Sequence, residues 1–181
     1  MSRPPRARES VLDAFETLVI DEGERAATLD ATARAAGVSK GGLLYHFSSK
    51  DALVEGLLER LRVLSADDIE QIKGSPEGPV AAFMRTSIMT DSPLDRVIVA
   101  VSRLAQNGHP TAGAAIRELR VLWEDALRPH ARDETALQLI MLVSDGLYFN
   151  NALTVGSVSG PVPEGAELDA LIALVESSAG R

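Results

Sequence analysis

Few of the side chains able to do chemistry stand in workable arrangements in this sequence. Its histidines, His46, His109 and His130, are scattered, and none has a second ligand four residues on, as a helical metal site requires. His109 and His130 each lie beside a proline at an expected helix end, which is a structural setting. With no cysteine, thiolate metal sites and disulfides are both excluded. GSVSG at 156–160 lacks the spacing of a nucleophile elbow, and GVSKGG lacks the Gly-Lys-Ser/Thr ending of a phosphate loop. No metal, no cofactor and no catalysis are therefore expected. What remains is a small set of cations, Arg3, Arg6, Arg8, Lys40 and Lys50, whose chemistry is contact with phosphate.

A formal net charge of −8 on 181 residues would oppose such contact if it were evenly spread. Through Arg62, however, nine Lys and Arg meet ten Asp and Glu, a net of −1, whereas the remainder carries nine against sixteen, a net of −7. Composition alone also fits a neutral helical domain with solvated charges, so the case for nucleic acid rests on where the cations stand. The N-terminal MSRPPRARES is basic, but the acids in the following VLDAFETLVIDEGE leave no signal-peptide core. The most apolar stretch, LIMLVSDGLYF, is broken by Ser144 and Asp145, well short of the ~18 apolar residues of a membrane span. The expectation is a soluble, cytoplasmic protein without membrane contact.

The elements that position these residues read as helical nearly throughout. Val11, Phe15 and Leu18, with Leu12 and Val19 beside them, form an i, i+4, i+7 stripe that Gly23 ends, predicting a helix near 6–22. Thr28 caps a short helix with Asp30 in its first turn, where an acid suits the helix dipole, and Gly37 stops it. Ser39 caps the next helix, and Ser48 with Asp51 three residues on caps a long one over 48–72. KGSPEGP at 73–79 is a break. Beyond it, helices are expected at about 79–90, 93–107, 111–128, 133–155 and 165–178, with Ser92-Pro93-Leu94-Asp95 the clearest start signal. GSVSGPVPEG at 156–165 is a loop joining the last two. No strand pattern and no internal repeat occurs, so the fold class is all-α.

A helix stopped at Gly37, a turn through Val38 and a second helix from Ser39 make a helix-turn-helix, with Gly37 supplying a positive φ at the corner. Ala33 is small enough to let the two helices cross closely, and Leu43 can pin the second onto the core. In such a unit the second helix enters the major groove and its N-terminal residues face base edges. That accounts for Gly41 and Gly42, each of which costs a helix about 1 kcal/mol relative to alanine. The expectation is that DNA approaches this backbone too closely for larger side chains. The alternative is that the glycines serve folding alone, for example by letting this helix pack tightly on the first.

The segment TLDATARAAGVSKGGLLYHFSSKDALVEGLL closely resembles the DNA-binding segment of the tetracycline-repressor (TetR) family of bacterial transcriptional regulators. That family's Tyr-x-Phe-x-x-Lys signature stands here as Tyr45-His46-Phe47-Ser48-Ser49-Lys50, and the likeness spans about residues 10–57. Gly41-Gly42 departs from the Gly-Thr or Pro-Thr often found in relatives. The resemblance implies a DNA-binding set of Thr28, Ser39, Lys40, Gly41, Gly42, Tyr45, His46 and Lys50. Within it Lys40 would contact a guanine edge or a phosphate. Tyr45, His46, Lys50 and the Thr28 hydroxyl would contact phosphates, and Phe47 would plug the core.

The domains are expected to divide into 1–55, which binds DNA, and 56–181, with helix 48–72 linking the two. The helices at 133–155 and 165–178 are apolar over too much of their circumference for one flank of a monomer. Leu139, Val143, Leu147, Leu168, Leu171, Ile172 and Val175 are the expected homodimer interface, two helices from each subunit making a four-helix bundle. In the resembled family that helix pair is the dimer interface. The alternative is a buried core within one subunit. Met84, Ile88, Met89, Trp123, Tyr148, Phe149 and Asn150 would line a pocket for a small hydrophobic or aromatic effector, and they equally suit an ordinary core. The expected protein is a homodimeric regulator, most simply a repressor released from a double-stranded, palindromic operator by that effector. A helical regulator or interaction module controlled by a protein partner is the alternative.

Overall fold

The computed structural model describes residues 4–88, 90–152 and 162–180, and over these the chain is helical with no strand. The helices are α1 (Pro4–Asp21), α2 (Leu29–Ala35), α3 (Lys40–His46), α4 (Lys50–Gly74), α5 (Pro79–Thr86), α6 (Pro93–Gln106), α7 (Pro110–Leu127), α8 (Glu134–Ala152) and α9 (Ala166–Ala179). No described helix is long and apolar enough to cross a membrane. Residues 153–155 of the helix expected at 133–155, and 156–161 of the expected loop, lie outside the described residues.

The helices fall into two compact units, Met1–Ser65 with Asp91–Leu119, and Ala66–Thr90 with Arg120–Arg181. This division differs from a single cut after residue 55, because α6 returns along the chain to pack on α1. In the first unit the stripe Val11, Leu12, Phe15 and Val19 is buried, as are Leu53, Val54, Leu57, Leu58 and Leu61 of α4 and Val97, Val101 and Leu104 of α6. Gly56 lets α4 approach α1: a Cβ there would stand 3.0 Å from Leu12 Cδ1 and 3.0 Å from Phe47 Cε1. The start of α6 is the capping box expected of its sequence. The Ser92 hydroxyl accepts from the Asp95 backbone N–H at 3.1 Å, and the Asp95 carboxylate accepts from the Ser92 N–H at 2.9 Å.

In the second unit α9 packs on α5 and α8, around Val80, Phe83, Met84, Leu137, Ile140 and Met141. The Trp123 ring lies 5.6 Å from that of Phe83, and its indole N–H donates to the Asp68 carboxylate at 3.0 Å. Two expected boundaries move. Helix α5 ends at Thr86 rather than 90, where the hydroxyls of Thr86 and Ser87 both donate to the Phe83 carbonyl, at 3.0 and 2.8 Å, and compete with the helix ladder. Helix α4 begins at Lys50, and its first-turn cap is Ser49, not Ser48: Ser49 Oγ accepts from the Ala52 N–H at 3.1 Å. Phe47, extended at φ −137° and buried, needs Ser48 to bring the chain back to the surface.

Candidate nucleic-acid interface

Three consecutive local decisions build the helix-turn-helix. Thr28 Oγ1 accepts from the Ala31 N–H at 3.2 Å and starts α2. Gly37, at φ +68°, ends it: the Val38 N–H reaches back to the Ala33 carbonyl at 3.0 Å and the Gly37 N–H to that of Arg34 at 3.1 Å. This double closure satisfies carbonyls that the helix end would otherwise leave open, and it needs a left-handed residue at the corner. Ser39 Oγ then accepts from the Gly42 N–H at 3.1 Å and starts α3. Leu43, wholly buried, and Phe47, 3% exposed, anchor α3 from below, while Ala33 is buried on the α2 side.

The rest of α3 faces outward. Tyr45 is 84% exposed, its ring meeting the edge of His46 with centroids 5.1 Å apart, so it is not a half-buried helix-end residue. Thr28, Ser39, Lys40 and Gly41 are exposed and Gly42 partly so. A Cβ on Gly41 would meet no atom of the protein within 4 Å, and one on Gly42 would meet only the cap oxygen Ser39 Oγ at 3.3 Å and Val38 Cβ at 3.9 Å. Tight packing on α1 therefore does not account for these glycines. Arg8 stacks over the Phe47 ring at 5.1 Å. Arg3 and the side chain of Arg6 lie outside what is described.

Both lysines of the face are held by the protein itself. Lys40 Nζ lies 3.0 and 3.2 Å from the two carboxylate oxygens of Asp30. Lys50 Nζ donates to the Glu24 carbonyl at 2.6 Å and lies 3.6 Å from the Glu24 carboxylate. Neither partner was legible in the sequence, since each depends on how α2 and the chain before it fold against α3 and α4.

Behind the reading helix, α1, α4 and α6 share an ion network. Arg60 reaches Glu9 at 2.8 Å, Asp13 at 2.7 Å and Glu16 at 3.1 Å, and Glu16 also accepts from Arg96 at 3.0 Å. Burial alone would raise the Glu9 carboxyl, but hydrogen bonds and charge from Arg60 and Arg8 outweigh it and hold Glu9 below the ordinary carboxylate range. A cleft of about 610 Å³ runs along this network, over Leu12, Gly56 and Leu64. A second cavity, of about 350 Å³, lies in the other unit over Leu137 and Met141.

Neither cavity is lined by the side chains expected around an effector. Met84 is wholly buried in the second unit's core, Ile88 and Trp123 pack against it, and Phe149 is 63% exposed, which removes Phe149 from any interior pocket. Tyr148 and Asn150 are partly buried, and Met89 lies outside the described residues. Of the expected dimer interface, Leu147, Leu168, Ile172 and Val175 are 3–7% exposed in the subunit's own core, because α9 lies on α5 and α8 of the same chain. Val143 and Leu171 are partly covered by that core, and Leu139 is exposed. The outward apolar residues that sequence reading passed over are Leu142, at 65%, and Leu174, at 62%.

A capped helix pair crossing at a left-handed glycine, with an outward second helix carrying a lysine and an exposed tyrosine, defines a helix-turn-helix of the DNA-binding kind. Residues 11–57 match the family model of bacterial regulatory proteins, tetR family. Over 189 aligned residues the chain is 26% identical to the HTH-type transcriptional regulator BetI of Rhizobium meliloti (strain 1021), covering 95% of this chain and 87% of that one. Solved structures of the same fold include SCO7518 from Streptomyces coelicolor A3(2), with a TM-score of 0.66, 23% identity and coverage of 96% of this chain and 98% of that one. They also include NalD, the secondary repressor of the MexAB-OprM multidrug efflux pump in Pseudomonas aeruginosa, with a TM-score of 0.63, 18% identity and coverage of 98% and 97%. Residues 11–57 thus form a DNA-binding domain of the tetR-family type, and over nearly its whole length the chain is similar to transcriptional regulators.

Proposed function

We propose that the chain is a cytoplasmic, homodimeric repressor that binds a palindromic operator and is released from it by a small hydrophobic or aromatic effector. The observation that carries the DNA-contact part is Tyr45. A tyrosine 84% exposed gains little from folding, but beside His46 and the start of α4 its hydroxyl suits a phosphate. Lys50, Thr28 and His46 serve the same backbone, while Ser39, Lys40 and the open backbone at Gly41 and Gly42 face base edges.

What supports dimerisation is the apolar surface left on α8 and α9, where Leu139, Leu142 and Leu174 remain exposed after the subunit's own core is filled. The repressor reading is supported by NalD, a repressor of the same fold. For the effector, the adaptable core around Met84, Ile88 and Trp123 would have to open, since it is filled as it stands. Helix α4 starts beside α3 and runs on into the second unit, so an effector that prefers one position of α4 would alter the separation of two reading helices. Moving such an equilibrium from 1:99 to 99:1 takes a preference of about 10⁴-fold.

The test is selection of bound sequences from random duplex DNA, followed by thermal shifts with a panel of hydrophobic and aromatic compounds. Inverted half-sites about 34–36 Å apart are expected, and any compound that raises the melting temperature should weaken operator binding. Bound sequences without inverted symmetry would overturn the dimeric operator. Release by a protein, with no compound active, would favour the protein-partner alternative.

A further inference from the structure

The geometry points to Asp30 as a specificity-determining residue: by holding Lys40 it keeps that lysine off phosphate and makes the pair a reader of base edges. The inference rests on the DNA-binding reading of α3. Asp30 is the second residue of α2 and Lys40 the first of α3, yet the ammonium sits at 3.0 and 3.2 Å from both oxygens of the carboxylate. The two side chains are 62% and 57% exposed, so the pair adds little to folding stability. The dipole of α2 favours an acid at Asp30, but it gives no reason for Lys40, on another helix, to be tied to it.

On a surface that must meet a polyanion, an exposed carboxylate weakens attraction to every duplex alike. Its effect on sequence is different. With its charge offset, Lys40 contributes little to counterion release, while at a base pair the two groups offer a donor and an acceptor side by side. An ammonium matches guanine O6 and N7, and a carboxylate matches the amino group of cytosine. Lys50 makes the contrast. Its short bond is to the neutral Glu24 carbonyl at 2.6 Å, with the carboxylate farther off at 3.6 Å, so more of its charge is left for phosphate. Two lysines ten residues apart in sequence are thus set to different tasks by what holds them.

The experiment is a salt titration of Asp30→Asn against wild type, on a random-sequence duplex and on a duplex selected by the wild-type protein. Freeing Lys40 for a phosphate should steepen the log–log salt slope by about 0.9 and tighten random-duplex binding about five- to tenfold at 0.1 M salt. Preference for the selected duplex should fall by at least that factor. In a Lys40→Gln background, where only the carboxylate's own repulsion is lost, Asp30→Asn should change the slope clearly less. An unchanged slope with Lys40 present overturns the inference. So does equal steepening in both backgrounds, which would mean that the acid repels DNA without acting through Lys40. Asp30→Ser, also suited to a first helical turn, stands in if the Asn variant fails to fold. A wild-type protein that binds no duplex would instead overturn the DNA reading and this inference with it, whereas normal wild-type binding with an unaltered variant slope overturns only the role of Asp30.

Discussion

Gly41 offers the sharpest test of close DNA approach. It is the second residue of α3, exposed, without a positive φ, and a Cβ there would meet nothing of the protein within 4 Å. Alanine should therefore fit the free protein without strain. Gly→Ala at a compatible site stabilises by about 0.4–1 kcal/mol, largely by reducing the freedom of the unfolded chain. For a chain of this size that corresponds to a rise in melting temperature of roughly 1–4 °C. Gly42 is a poorer probe, because its Cβ would stand 3.3 Å from Ser39 Oγ, the oxygen that caps Gly42's own N–H. Pressure on that cap would offset the gain.

Operator binding should move the other way. If the backbone at Gly41 lies against the DNA, a methyl group has no room, and a loss of tenfold, about 1.4 kcal/mol, is the least expected of a displaced contact. The assay is a pair of measurements on Gly41→Ala: thermal unfolding without DNA, and titration onto the selected operator at fixed salt. A variant that is more stable and binds as tightly as wild type would refute close approach as the reason for the glycine. A variant that is less stable would return Gly41 to a folding role and contradict the open space around it.

Three further outcomes are expected. Gly56→Val should destabilise the protein by about 1–3 kcal/mol in denaturant unfolding, because a Cβ already meets Leu12 and Phe47 at 3.0 Å; full stability would mean that α4 can move away from α1 at little cost. Leu142→Asp should yield folded monomers by sedimentation, since Leu142 is 65% exposed and outside the subunit core, and an intact dimer would place the interface elsewhere. Glu9 has its folded pKa held below the unfolded value, so its stabilising contribution is present above the ordinary glutamate range and is lost as the pH falls through the folded value. Glu9→Gln should accordingly flatten the acid limb of stability against pH, and an unchanged limb would remove Glu9 from the account.

What the sequence disclosed was what a few neighbouring residues decide. Thr28, Ser39 and Ser92 are caps because each hydroxyl or amide finds its partner three residues on, and Gly37 is a corner because only its own φ is at issue. The Ser48 cap failed by one residue, since the start of α4 is set by the burial of Phe47, which is not a local matter. Apolar circumference on α8 and α9 was visible, but not which neighbour covers it: α5 of the same chain takes Leu168, Ile172 and Val175 into its core and leaves Leu142 and Leu174 outside. The ion pairs were hidden for the same reason, Glu16 joining Arg60 across 44 residues and Arg96 across 80.

Those hidden pairs explain how a reading head with more acids than bases can still bind DNA. Counting charges assumes that each acts from where a uniform surface would put it. Here Arg60 gathers Glu9, Asp13 and Glu16, and Glu16, only 5% exposed at its side chain, is shared with Arg96. A carboxylate satisfied by two guanidiniums projects little field toward solvent, so part of the acid excess through Arg62 is removed from any surface a phosphate could meet. On α3 itself there is no acid, and Asp30 of α2 is bonded to Lys40. Beside the exposed Ser39 and Tyr45, the charge of Lys40 is thus offset by Asp30 rather than left free. Offsetting a cation in this way limits indiscriminate attraction to DNA and leaves more of the affinity to shape and base contacts, which is the balance that sequence-selective binding needs.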